Sequence, residues 1–216
     1  MRLLVTGGTG ALGRSLVPAA ETAGHAVWAP GHAELDVFDP IAVEAAMHSV
    51  DAVLHLATRI LPLDRMDDSS AWRENDRLRA DASRILIDAA LVNGTRAYVQ
   101  PTVAFGYPPD VPATEDTPFS NVSEIMRSAV EAERQTARFA DSGRRGVVLR
   151  LGLLDGPGTG NDAPIRALGA TLHVADAAEA LLDALVAPSG VYNVCRDGER
   201  VSSQRFQETT GWRAQR

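Results

Sequence analysis
The chain opens on an apolar run, RLLVT, and passes straight into TGGTGALG, residues 6–13, with glycines at 7, 10 and 13. Glycines at three-residue intervals between an apolar run and the apolar stretch ALGRSLVPAAETAG predict a strand, a tight turn and a helix. Gly7 lets the chain turn sharply, Gly10 lets backbone approach a phosphate, and Gly13 lets the helix pack close to the sheet. The unpaired N–H groups and the positive end of that helix then face an anion. A plain glycine turn is the competing reading. The β-α-β setting favours a bound dinucleotide.

The rest of the chain repeats that unit. Strands are expected at 2–6, 26–29, 51–57, 96–100, 146–152 and 190–194, and helices at 11–24, 40–47, 120–140, 174–186 and, capped by serine, at the C-terminus. Leu78, Ala82, Ile85, Leu86 and Ala89 form a helical stripe within 69–93. Apolar runs that hardly alternate suit strands covered on both faces, so the expected fold is α/β, a doubly wound parallel sheet. With 216 residues, 45% of them hydrophobic, the chain suits one globular domain. We expect a dinucleotide-binding core over 1–158 and a short C-terminal segment, 159–216, that completes the fold and a reduced substrate lobe.

Composition narrows the partners. No apolar run approaches the ~20 residues that span a bilayer, which predicts a cytoplasmic protein. A lone cysteine, Cys195, leaves no disulfide framework, and no metal-spaced cluster is visible. The formal charge of −7, without a basic cluster larger than Arg144 and Arg145, argues against nucleic acid or an acidic membrane and for a small-molecule substrate.

Three stretches together resemble the extended short-chain dehydrogenase/reductase family, also called the NAD-dependent epimerase/dehydratase family. TGGTGALG is similar to its nucleotide loop, LDVFDP to its adenine contact, and HLAT to the segment lining the ribose and nicotinamide. VVLRLGLLDGPG and TLHVADAAEALLDAL resemble its later strand, loop and helix, and HAELDVFDPIAVEAAM is similar to the dTDP-4-dehydrorhamnose reductase branch. The resemblance implies a Rossmann-like sheet and NAD(P) held by Gly7, Thr9, Gly10, Ala11, Leu12, Gly13, Asp36, Val37, Leu56, Ala57 and Thr58. Asp36 would accept from the adenine amino group and Val37 pack on the ring. Asp36 and Asp39 also read as turn and cap residues before Pro40. VWAPGH, ending the second strand, offers no carboxylate for a ribose diol, and His32 and Arg14 are possible phosphate neighbours, a lean towards NADP. Family members often pair through two long helices, so a homodimer is allowed.

The family's Tyr-x-x-x-Lys pair is missing. Alignment of SEIMRSAVEAERQTARFA places Ile125 and Ala129 at its two positions, no tyrosine lies between Tyr107 and Tyr192, and the chain has no lysine at all. Arginine cannot substitute fully, because it does not lose its proton in working conditions. Three residues remain as catalytic candidates. Thr102 falls where the family has its serine or threonine, or else caps a strand. Tyr107 could supply a proton from a new direction, or pack a proline loop. Asp155 could titrate in a sheltered cleft, or form the turn before Gly156. His55 reads as a core residue with a satisfied ring, and His173 as a structural residue before a helix.

About a dozen residues separate DGPG from TLHVADAAEA, so much of the family's substrate lobe is absent and a small substrate is expected. Three functions follow from these residues: a non-redox conversion such as cyclisation, isomerisation or dehydration beside a non-redox or vestigial cofactor; a reductase or epimerase with a substitute proton donor; and a non-enzymatic dinucleotide sensor. The arginine- and alanine-rich composition suits specialised-metabolite biosynthesis.

Overall fold
In the computed structural model, which describes residues 1–61, 69–120 and 124–216, the apolar runs become strands of a parallel sheet. The strands are β1 (Arg2–Thr6), β2 (Ala26–Trp28), β3 (Ala52–His55), β4 (Ala97–Val103), β5 (Arg145–Leu151), β6 (Leu153–Asp155), β7 (Thr171–His173) and β8 (Gly190–Val194). The helices are α1 (Ala11–Thr22), α2 (Pro40–Ala46), α3 (Arg73–Arg77), α4 (Ser83–Val92), α5 (Glu124–Asp141), α6 (Val174–Ala184) and α7 (Gln204–Thr210). The main sheet runs β2-β1-β3-β4-β5-β8, all parallel, and β6 pairs with β7 in a second, two-stranded sheet.

Successive side chains of β1 enter opposite cores, as a period of two requires. Leu3 and Val5 join Leu16 and Ala20 of α1 and Leu181 of α6, whereas Leu4 joins Val43 of α2, Leu86 of α4 and Phe139 of α5. Both faces are therefore covered, which is why these strands read as unbroken apolar runs. The chain leaves β1 for β2 on one side and returns through α2 to β3 on the other. The strand order reverses between β1 and β3, and such a switch point leaves a crevice beyond the carboxyl ends of the strands. Residues 159–216 supply β7, α6, the edge strand β8 and α7, whose Phe206 is fully buried in the α1 and α6 core.

Several boundaries differ from the sequence reading for identifiable reasons. β3 ends at His55, because Leu56 and Ala57 leave the sheet to line the crevice. β4 continues through Pro101 to Val103; its pairing with β3 stops at Val99, so the proline sits where one flank is open. The 69–93 stripe is a composite of a 3₁₀ turn, α3, a π-turn over Leu78–Ala82 and α4. Ser203 precedes α7 without capping it, since its hydroxyl receives the Cys195 N–H (2.7 Å). The expected helix at 120–140 is described from Glu124; residues 121–123 lie outside the described residues.

Candidate functional site
A cleft of about 1140 Å³ opens over the carboxyl ends of β1, β3 and β4. It is lined by Gly7, Thr9, Gly10, Ala11, Leu12, Gly13, Asp36, Val37, Leu56, Ala57 and Thr58, and also by Thr102. Gly7 adopts φ +73°, and a Cβ there would stand 2.6 Å from the Ala57 nitrogen. A Cβ on Gly13 would lie 2.5 Å from the Gly7 carbonyl oxygen, so the helix can approach the loop only without a side chain. Gly10 ends the loop as the N-cap of α1, with no side-chain cap and no acidic residue in the first turn. The helix thus presents its first N–H groups to the cleft without a competing protein acceptor, and these residues fit a dinucleotide pyrophosphate.

Asp36 and Val37 lie further along the same wall. One carboxylate oxygen of Asp36 accepts the Phe38 N–H (2.9 Å); the other takes no hydrogen bond among the described residues. Asp39 caps α2 by accepting from Ile41 (2.9 Å) and Ala42 (3.3 Å), ahead of Pro40 at the first helical position. After β2 the lining consists of Pro30, Gly31 and His32; the Glu34 carboxylate turns onto the Gly31 N–H (2.8 Å). Arg14 donates to the Thr9 carbonyl and packs against Gly158.

His55 lines the cleft and is 1% exposed. Its Nε2–H donates to the Leu78 carbonyl (2.9 Å), so its Nδ1 accepts from the Thr6 hydroxyl (2.6 Å), which in turn receives the Ala57 N–H (3.3 Å). This relay joins β1, β3 and the π-turn. Burial drives the ring down to about 4, against the opposing Leu78 bond. The native ring stays neutral where an unfolded ring, near 6.5, gains a proton. Stability is complete above pH 6.5 and falls as pH drops towards 4, by about 1.4 kcal/mol per pH unit. Denaturant melts at pH 7, 5.5 and 4.5 should show that slope reduced in His55→Asn relative to the parent protein.

Thr102 reaches the cleft, and its hydroxyl donates to Glu133 of α5 (2.9 Å). Glu133 is gripped by Arg150 through two hydrogen bonds, 2.9 and 2.6 Å, with both side chains 12% exposed. Arg150 also donates to the Tyr107 hydroxyl (2.7 Å), which donates to Asn193 (2.8 Å). Thr102, Arg150 and Asn193 occupy one register row across β4, β5 and β8. No spacing in the sequence announces this row, because it depends on strand register.

Two expected acid–base residues are held away from the cleft wall. Tyr107 is buried, edge-on against Phe119 at 4.9 Å, with its hydroxyl shared between Arg150 and Asn193; burial raises its pKa above the ordinary phenol value. Asp155 is buried in a two-bond pair with Arg196, 2.5 and 2.8 Å. Neither lines the cleft, and of the three catalytic candidates only Thr102 does. Ala129, which the sequence matches to the family's lysine position, is expected there only from that match; in the structure it is fully buried on α5. His173 accepts the Ala175 N–H (3.2 Å) and so caps α6.

The family model of the NAD-dependent epimerase/dehydratase family matches residues 3–172. The chain belongs to that family. Among relatives of the chain, a 3-diazoavenalumate denitrifying reductase from a Streptomyces species is 35% identical over 181 residues, 74% of this chain and 58% of the relative. A protein named "Probable dTDP-4,6-dihydroxy-2-methyloxan-3-one 4-ketoreductase" from Streptomyces antibioticus is 32% identical over 138 residues, 62% of this chain and 46% of the relative. The chain therefore spans about half the length of these relatives. UDP-N-acetylglucosamine 4-epimerase from Bacillus cereus superposes with a TM-score of 0.84 at 19% identity, covering 100% of this chain and 94% of that one. RMD from Pseudomonas aeruginosa, complexed with NADPH, gives 0.80 at 20%, covering 100% and 95%. These likenesses show the Rossmann-like fold. Among the described residues no helix is long and apolar enough to cross a membrane, and no His/Cys/Asp/Glu cluster suits a metal ion.

Proposed function
We propose that the chain is an NAD(P)H-dependent reductase of a small electrophile whose reduction requires hydride but no proton from a tyrosine. The observation that carries this reading is the cleft itself. It joins an open phosphate cradle to a wall that offers the Thr102 hydroxyl but, among the described residues, neither phenol nor amine. When bound, the reduced nicotinamide supplies the hydride. Gly7 to Gly13 and the α1 N-terminus hold the pyrophosphate, Asp36 and Val37 the adenine, and Leu56 to Thr58 the ribose side. His32, with no carboxylate among cleft residues 30–32 that directly follow β2, favours NADPH over NADH.

Ordinary carbonyl reduction leaves an alkoxide that must be protonated, and among the described residues no tyrosine or lysine lines this cleft for that step. An aryl diazonium needs none: hydride forms the new C–H bond while the C–N bond breaks and its electron pair leaves with dinitrogen. The relative named as a denitrifying reductase supports this class of acceptor. Because both curated relatives carry reductase names, reduction is favoured over the cyclisation, isomerisation or dehydration expected from the lost pair. A cleft of about 1140 Å³ favours an enzyme over a sensor with a filled site.

The test is incubation with deuterated NADPH and a carboxyl-substituted aryl diazonium salt. Dinitrogen release and one deuterium on the vacated carbon are expected, with simple ketones at least ~10²-fold slower for want of a proton donor. Brisk ketone reduction with an inert diazonium would contradict the proposal.

A further inference from the structure
Arg79, in the π-turn, lines the cleft and is only 4% exposed. Its Nε is buried without a partner, and no hydrogen bond or close ion pair holds its guanidinium among the described residues. Arg150 and Arg196, each with 12% of its side chain exposed, grip a carboxylate with two bonds, Glu133 and Asp155 respectively. A guanidinium has five N–H donors and keeps its charge in working conditions. Burial lowers Arg79 to about 10, against the pull of Asp76, so it is still a cation at neutral pH. Asp76 itself takes the Ser128 hydroxyl (2.6 Å). One turn earlier, Asn75 accepts the Arg59 N–H (3.0 Å), leaving its Nδ2 as a second buried donor without a partner. A cation buried at such cost on a cleft wall is explained by a ligand that completes it.

The anion has two candidate sources, a substrate carboxylate and a cofactor phosphate. The cradle for phosphate is the glycine loop on α1, whereas the π-turn packs against α5. The cleft that Arg79 lines also takes Trp72, Leu78, Phe105 and Met126 into its wall, an apolar lining that suits a flat apolar body. We infer that Arg79 is the anchor for a substrate carboxylate, and that the cleft takes a small, planar, apolar monocarboxylate. This rests on the reductase reading, and names the substrate class for the same cleft.

The test reads binding without turnover: trans-cinnamate and methyl cinnamate are titrated into protein saturated with NADP⁺. The parent protein should bind the acid at least ~10-fold more tightly than the ester. Arg79→Met should weaken cinnamate by roughly 100-fold and leave the ester and NADP⁺ within about twofold. Arg79→Lys should recover part of the acid's affinity, having charge without the planar fork. Three outcomes would overturn the inference: a parent protein that binds the acid no better than the ester, equal losses for acid and ester in Arg79→Met, or a loss that falls on NADP⁺ instead. Cinnamate binding through Arg79 in a protein that transfers no hydride would overturn the reductase reading alone.

Discussion

Asp155→Ala should lower stability by about 2–4 kcal/mol, because it leaves the partly buried Arg196 guanidinium without its carboxylate. The side chains are 5% and 12% exposed, so water cannot easily replace the lost partner. Arg196 also donates to Thr171 (3.1 Å) and to the Arg216 carbonyl (2.7 Å), which hold it in place rather than let it swing out. The pair ties β6 to the segment after β8, the join that closes the small β6–β7 sheet onto the main one. For a chain of this size the change corresponds to a melting temperature lower by roughly 4–16 °C. Asp155→Asn, which keeps an acceptor but loses the charge, should fall between the parent and the alanine variant. Thermal or urea melts decide it, and an alanine variant within about 1 kcal/mol of the parent would contradict the structural role.

Gly10→Asp should do the opposite: leave the fold intact and abolish dinucleotide binding. Gly10 has φ −71° and ψ 171°, which any residue can adopt, and an added Cβ would meet only the Gly7 oxygen, at 3.3 Å. Aspartate is a good N-cap, so its carboxylate would bond to the open N–H groups of α1 and stability should stay level or rise by a few tenths of a kcal/mol. Those are the groups the pyrophosphate needs. Occupied by a fixed negative charge, they should cost at least ~100-fold in affinity for NADPH. Loss of binding without loss of stability separates a blocked cradle from a damaged fold.

The parallel sheet and the cradle were legible because they rest on local chemistry. Glycines at 7, 10 and 13, the turn after Leu35 and the apolar strands each declare themselves within a few residues. The hydroxyl at Thr102 was also reachable, since it follows a strand whose neighbours were already placed. What escaped was long-range. The tie from Thr102 through Glu133 and Arg150 to Tyr107 joins two strands and a helix, and turns a tyrosine that looked available into a buried one. Asp155 sits before a glycine, as turn residues do, yet its surroundings are set by Arg196, 41 residues on. No motif in the sequence marks Arg79. Only the π-turn, invisible to a 3.6-residue period, brings it to the cleft wall.

The most direct test is titration of the purified protein with NADPH, followed by calorimetry or by nicotinamide fluorescence. Saturable binding at one site per chain is expected, disappearing in Gly10→Asp while the melt is unchanged. If the parent protein holds neither NADPH nor NADH, or if Gly10→Asp binds as well as the parent, the glycine loop is not a nucleotide cradle and the reductase reading fails with it.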